Sequence, residues 1–285
     1  MGRRTLRGRG DDHRNPSRGR GPHPDLLREG LRAMAAGETR MTAPAQGQGS
    51  DETGEAGESR EFLKYTFYQV RPEWRLLDSE RKKKQKAEFA ALVHDLEEDV
   101  TLWCYSLQGI RPDVDFMVWA IDPHLETFRE MARRVSSTEL GHYLETTYAY
   151  LAASKRSQYV GGHTHKGQDG TALKSEPHGS RYLFVYPFVK KREWYSIPFE
   201  RRQEIMRDHF RIGHKYPDVK IHTAYSFGLD DHEFVLSFEA DNPLDFLDLV
   251  MDLRSSEASK YTERETPIFT CILSTPEQML DALGI

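Results

Sequence analysis

Tyr186, Lys190 and His209 fall within one short stretch, YLFVYPFVKKREWYSIPFERRQEIMRDHFRIGHKY at residues 182–216. A phenol can be oxidised, an imidazole can ligate iron and an ammonium can hold a carboxylate. Together they suit a planar, anionic, iron-containing ligand. Each also has an ordinary reading. A lone histidine on an apolar helical stripe is most often a hydrogen-bonded core residue, a buried tyrosine needs only one partner, and Lys190-Lys191-Arg192 reads by default as a solvated face.

The elements that must position these groups follow from periodicity. Over residues 182–190 the alternation puts Tyr186, Phe188 and Lys190 on one strand face and Val185, Pro187 and Val189 on the other. From about Pro198 the pattern turns helical, with Ile205, Met206, His209 and Ile212 on one side. His209 is expected to point inward.

From Phe62 onward the chain repeats itself at an offset of about 120 residues. Glu73-Trp74 aligns with Glu193-Trp194, Glu80-Arg81 with Glu200-Arg201, Gly109 with Gly228 and Phe116 with Phe234. Each copy reads strand, helix, strand, strand, helix, strand, with strand character at residues 114–119 and 234–238. That is the ferredoxin-like order. The expected fold class is α+β, a dimeric α+β barrel made of two ferredoxin-like repeats in one chain: 61–155 and 181–285, joined by a Gly-, His- and Ser-rich loop over 156–180. At the repeat offset His209 faces Phe89 and Tyr186 faces Thr66, so a single site in the second copy is expected.

Composition narrows the function class. A net charge of −5 gives no basic footprint for nucleic acid. Cys104 and Cys271 form no CxxC or zinc-type cluster, which removes structural zinc and covalent c-type haem and fits a reducing, cytoplasmic setting. No apolar run approaches the ~20 residues that span a bilayer. The first 60 residues hold eleven arginines against nine acidic residues, with no lysine, aromatic, valine or isoleucine. Such a segment is expected to be disordered; a translation start at Met41 is an alternative account of most of it.

The motifs Y-P-x-x-K, W-Y-x-x-P, M-R-D-H and G-L-D-D, in YPFVKKREWYSIPFERRQEIMRDHFRIGHKYP and in YSFGLDDHEFVLSFEAD, resemble the chlorite dismutase family, specifically its coproheme decarboxylase branch. The resemblance covers about residues 62–275. It implies two ferredoxin-like repeats in each subunit of a homo-pentamer, with iron porphyrin bound in the second repeat. His209 would be the proximal iron ligand, Tyr186 the radical-forming residue beside the reactive propionate, and Lys190 a propionate contact. Trp194 would stand near the pocket, and Ser259 in EASKY would hydrogen-bond a propionate.

Departures from the family pattern separate its branches. Chlorite dismutases carry a distal arginine on the strand after the helix, and one group of decarboxylases a glutamine. Here V-K-I-H-T places Ile221 there. An apolar residue cannot hold hypochlorite by charge, which disfavours chlorite chemistry. Another group of decarboxylases uses a small distal residue with a loop histidine as base, and the connecting loop offers His163 and His165. A family arginine five residues after the ligand is replaced by His214. The resemblance therefore implies peroxide-dependent oxidative decarboxylation of iron coproporphyrin III (coproheme) to haem b, with hydrogen peroxide as oxidant and a transient ferrochelatase contact supplying substrate. A non-catalytic haem-binding or haem-sensing protein is the alternative, and chlorite dismutation a more distant one.

Overall fold

The computed structural model describes residues 60–159 and 175–284. His163, His165 and nearly all of the segment expected to be disordered lie outside the described residues. The first half runs β1 (Phe62–Val70), α1 (Pro72–Arg75), α2 (Ser79–Glu97), β2 (Thr101–Ser106), β3 (Phe116–Asp122), α3 (Leu125–Ser137) and β4 (Leu144–Ala153). The second runs β5 (Tyr182–Lys190), α4 (Glu193–Ser196), α5 (Phe199–Gly213), β6 (Lys220–Tyr225), β7 (Phe234–Ala240) and α6 (Pro243–Arg254). A 3-10 turn (Glu257–Tyr261), β8 (Thr262–Arg264), β9 (Phe269–Ser274) and α7 (Pro276–Asp281) complete it.

Each half folds into one antiparallel sheet, β4-β1-β3-β2 in the first and β9-β5-β7-β6 in the second. The halves are not separate bodies. β2 pairs with β9 and β4 meets β6 at Ala153 and Tyr225, so the strands close into a ring, with β8 hanging from the end of β5. Two ferredoxin-like units thus share one barrel, the α+β architecture read from the repeat.

Closure gives the strands of the ring one face toward the barrel interior and one away from it, and in β1, β3 and β5 both faces are largely covered. In β1, Leu63, Tyr65 and Phe67 are fully buried inside the barrel, while Lys64, Thr66 and Tyr68 face α2 and α3. In β5, Leu183 and Val185 point inward, whereas Phe184 and Tyr186 join the layer under α6. Gly109 and Gly228, matched by the repeat, both adopt left-handed backbone, with φ of 79° and 73°, a conformation that side chains with a Cβ resist.

One boundary differs from the sequence expectation. The strand read from residue 114 begins at Phe116. Asp115 serves as an acceptor: its carboxylate takes the Val70 backbone N–H at 2.7 Å and the Arg75 guanidinium at 3.1 Å. The Asp115 backbone still bonds across, its N–H donating to the Tyr68 carbonyl at 2.8 Å and its carbonyl accepting the Leu107 N–H at 2.9 Å, so the carboxylate adds to the pairing at the entrance of β3.

Phe269 fills the barrel centre, its ring 4.1 Å from that of Phe67 and 5.0 Å from that of Tyr148. Among the described residues no helix is long and apolar enough to cross a membrane. Phe269→Ala should lower unfolding free energy by about 3–5 kcal/mol, the usual cost of deleting a fully enclosed ring. Urea denaturation measures this, and a loss below ~1 kcal/mol would show that the interior is loosely filled.

Candidate functional site

β5 and α5 carry the site. On the outer face of β5, Tyr186 lies parallel to Phe238 of β7 at 6.0 Å, and Phe184 stacks on Phe246 of α6 at 4.1 Å. Ile221 on β6 is paired with Phe238 and belongs to the same apolar layer. Burial pushes the Tyr186 phenol well above its ordinary value. It is a neutral O–H donor at any physiological pH.

Four residues further along the same strand face, Lys190 enters a different environment. Its Nζ stands 4.6 Å over the Trp194 ring and 5.2 Å over Phe188, and donates to the Ala258 carbonyl at 3.3 Å. Trp194 is itself buried against Ile205 of α5 and Ala258. No carboxylate among the described residues comes within ion-pair distance of this ammonium. Glu233 is near, but it is engaged elsewhere, accepting the Lys190 backbone N–H at 2.8 Å and the Tyr195 hydroxyl at 2.5 Å. Burial lowers the Lys190 pKa to about 8, with Glu233 opposing. A desolvated cation without a counter-charge is a receptor for an anion.

His209 sits in the middle of α5. Its Nδ1 is shut off from solvent and finds no hydrogen-bond partner among the described residues. Burial, reinforced by the positive charge of Lys190 and opposed by Asp208, brings its pKa down to about 4. The imidazole is therefore neutral at neutral pH, which leaves a lone pair for a metal. An orphaned buried nitrogen costs about 1–3 kcal/mol, and ligation by an iron porphyrin is a use that fits it. Ser259 lies half-buried in the 3-10 turn directly after Ala258, and α5 packs against that turn and against α6. His214 is exposed at the end of α5.

The structure thus gathers Tyr186, Lys190, Trp194, His209, Ile221 and Ser259 in the layer formed by α5, α6, the 3-10 turn and the outer face of the second sheet. The first half has a cavity of about 200 Å³ between α2, α3 and its own sheet, lined by Thr66 and Phe89 among others. These are the positions that align with Tyr186 and His209. No histidine or cysteine lines that cavity, and it falls short of the ~300–1,000 Å³ typical of ligand pockets. The asymmetry read from the repeat is built into the two halves.

The sequence pattern described as Chlorite dismutase matches residues 82–274, well over half of the chain. The chain belongs to the chlorite dismutase family. Within that family it is 33% identical over 170 residues to a protein named "Coproheme decarboxylase" from Mycolicibacterium smegmatis, covering 58% of this chain and 70% of the relative. It is 28% identical over 166 residues to another of that name from Staphylococcus carnosus, covering 54% of this chain and 66% of the relative. Among solved structures, a variant of the chlorite dismutase from Candidatus Nitrospira defluvii matches with a TM-score of 0.71 and 24% identity over 79% of this chain and 95% of that one. The same enzyme in complex with imidazole matches with a TM-score of 0.70 and 23% identity, over 78% and 94%. These structural likenesses show the fold.

Sequence reasoning missed a second polar cluster, in which buried His222 and Glu239 meet the exposed His178. A signal was available. In FVLSFEA the alternation that sends Val235 and Ser237 inward sends Glu239 inward too, and a carboxylate there demands partners.

The Lys190 shift carries a stability consequence. The folded chain releases this proton near pH 8 and the unfolded chain near 10.5, so between those values the unfolded state binds more protons and stability rises with pH. Lys190→Met should flatten that rise between pH 8 and about 10, where unfolded tyrosines begin to titrate. Denaturation of the ligand-free protein across this window checks it. Identical pH profiles for the two proteins would contradict the burial of this ammonium.

Proposed function

We propose that this protein is a coproheme decarboxylase: it binds iron coproporphyrin III as substrate and, with hydrogen peroxide, converts two propionates to vinyl groups, yielding haem b. For each propionate, carbon dioxide is lost, the side chain gives up two electrons, and one peroxide takes up protons and is reduced to two waters. The observation that carries the reading is the trio in the second half: a neutral, half-buried imidazole at His209, a half-buried ammonium at Lys190 with no ion-pair partner among the described residues, and a buried phenol at Tyr186. The relatives named coproheme decarboxylase point the same way. The bound iron supplies the oxidising chemistry.

The chain's own residues have distinct tasks in this reading. His209 holds the iron through a ring kept neutral by burial. Lys190 and Ser259 anchor propionate carboxylates, and the shape of the pocket wall is set by Trp194. Tyr186 gives up its phenolic hydrogen atom and in turn takes one from the β-carbon of a propionate, since burial favours the O–H over the phenolate. Ile221 presents no charge to an oxyanion, which favours peroxide over chlorite as oxidant. His163 or His165 serves as the distal base. The reading extends to a cytoplasmic homo-pentamer that receives substrate from a ferrochelatase. Leu244, Leu247 and Met251 form an exposed apolar stripe on α6 that would support self-association.

Titration of the purified protein with coproheme, followed by peroxide, tests the proposal. Wild type should show a shifted Soret band and then haem b by mass spectrometry. His209→Ala should lose the ligated spectrum. Tyr186→Phe should keep it but slow haem b formation at least 100-fold. Tight binding with no conversion by wild type would favour a haem-binding protein, oxygen evolution from added chlorite would favour dismutation, and wild-type turnover by Tyr186→Phe would remove the phenol from the mechanism.

A further inference from the structure

Glu239 is completely buried on β7, facing the barrel interior. Its carboxylate is gripped by consecutive backbone donors from the segment that precedes β5. Oε2 accepts the N–H groups of His178, Gly179 and Ser180 at 3.1, 2.8 and 3.1 Å, and Oε1 accepts that of His178 at 2.9 Å. Gly179 takes a left-handed φ of 76°, which lets successive N–H groups converge on one anion. This carboxylate is fixed in place and ionised. Burial pushes its pKa up, but hydrogen bonds from His222 and the backbone outweigh it and leave it lowered.

Two imidazoles share the remaining side of Oε1. His222 Nε2 stands 2.7 Å away and His178 Nδ1 3.7 Å away. One ligand atom from each of the three residues lies within 4.8 Å of the others. Ligand atoms on a tetrahedral zinc stand about 3.3 Å apart, given bonds of roughly 2.0–2.1 Å, so the two observed separations bracket the value a metal needs. Trp119 packs edge-on against the His222 ring at 5.3 Å between centroids and holds its orientation.

We infer that His178, His222 and Glu239 form a binding site for a divalent transition metal of the zinc class, separate from the haem layer. Two imidazoles and one carboxylate suit zinc, cobalt or nickel rather than calcium or magnesium. The metal takes the place of the proton between His222 and Glu239. The ring proton of His222 moves from Nε2 to Nδ1, which faces the Ser175 hydroxyl at 3.4 Å, so both nitrogens keep a partner and no proton need leave. His178 stands at the solvent edge and leaves the fourth position to water. The bound ion ties the end of the connecting segment to β6 and β7. The inference stands whether or not the chain turns over coproheme.

Full-length protein stripped by chelator is titrated with zinc in competition with a chromophoric chelator, and its thermal midpoint is read with and without the metal. Wild type should bind one zinc per chain and melt at a higher temperature with zinc. Cobalt in its place should give visible d–d bands of tetrahedral strength. His178→Ala, a change at the solvent edge that should leave metal-free melting unaltered, should weaken zinc at least tenfold, abolish the thermal shift and leave the coproheme Soret titration unchanged. Absence of stoichiometric zinc in wild type would overturn the inference. Equal zinc affinity in wild type and His178→Ala would overturn it as well, since the metal would then lie elsewhere, for example on the exposed His94, Glu97 and Glu277.

Discussion

In a closed barrel wrapped by helices, a strand covered on both faces must satisfy two apolar layers at once, and β5 is where that constraint bears on chemistry. Its alternate residues are committed to opposite sides: Leu183 and Val185 to the barrel, Phe184 and Tyr186 to the helix layer. A slip of one residue would send Tyr186 into the barrel and Val185 under α6. The register is held from both sides, by β7 along Tyr182–Phe188 and by β9 along Tyr182–Val185. Pro187, which has no N–H to give, falls beyond the last β9 pair and before β8 begins at Val189. A proline is tolerable there and would break the ladder elsewhere.

That sidedness sets the electrostatics of the site. Lys190 and His209 approach each other in a layer where water is scarce: burial disfavours the charged form of each, and the Lys190 charge further disfavours protonation of His209. The imidazole responds by staying neutral. The ammonium keeps its proton at neutral pH but has only a carbonyl and two ring faces for company. Glu233, whose charge opposes loss of that proton, makes no ion pair with the ammonium and commits Oε2 to the Lys190 backbone N–H and the Tyr195 hydroxyl. The protein has left one positive charge uncompensated beside one neutral donor nitrogen. An iron porphyrin with propionates presents the reverse pattern, a Lewis acid at its centre and carboxylates at its rim.

Much of this was legible in the residues. The repeat showed through Trp74 and Trp194, both buried at the same place in their halves, because a large ring in a fixed pocket constrains sequence strongly. The inward face of α5 and the outward face of β5 followed from period alone. What periodicity could not show was how the polar groups are partnered. Asp115 read as a strand residue, and its backbone does bond across to Tyr68 and Leu107, but nothing in the pattern showed its carboxylate meeting Val70 and Arg75. Glu239 looked like ordinary alternation, because apart from His222 its partners are backbone N–H groups some 60 positions away that any residue type could supply. Local pattern reports which side a residue faces. Long-range hydrogen bonds decide what it does there.

The two halves also show why a duplicated scaffold need not carry two sites. Phe89 occupies the place of His209, packs edge-on to Phe116 and leaves no polar atom to satisfy. The cavity beside it stays small and lacks a ligating side chain. In the second half the same backbone position holds a ring whose Nδ1 has no partner among the described residues, a state that costs the apoprotein stability and is relieved by a ligand that uses the ring. A histidine placed at position 89 alone would incur that cost without the benefit. Thr66 offers no phenol at the matched position; Lys64 and Tyr68 on the same face of β1 do bring a cation and a phenol to the cavity, but no imidazole joins them. A working site needs the imidazole, the phenol and the uncompensated cation in one layer, and only the second half has placed all three there.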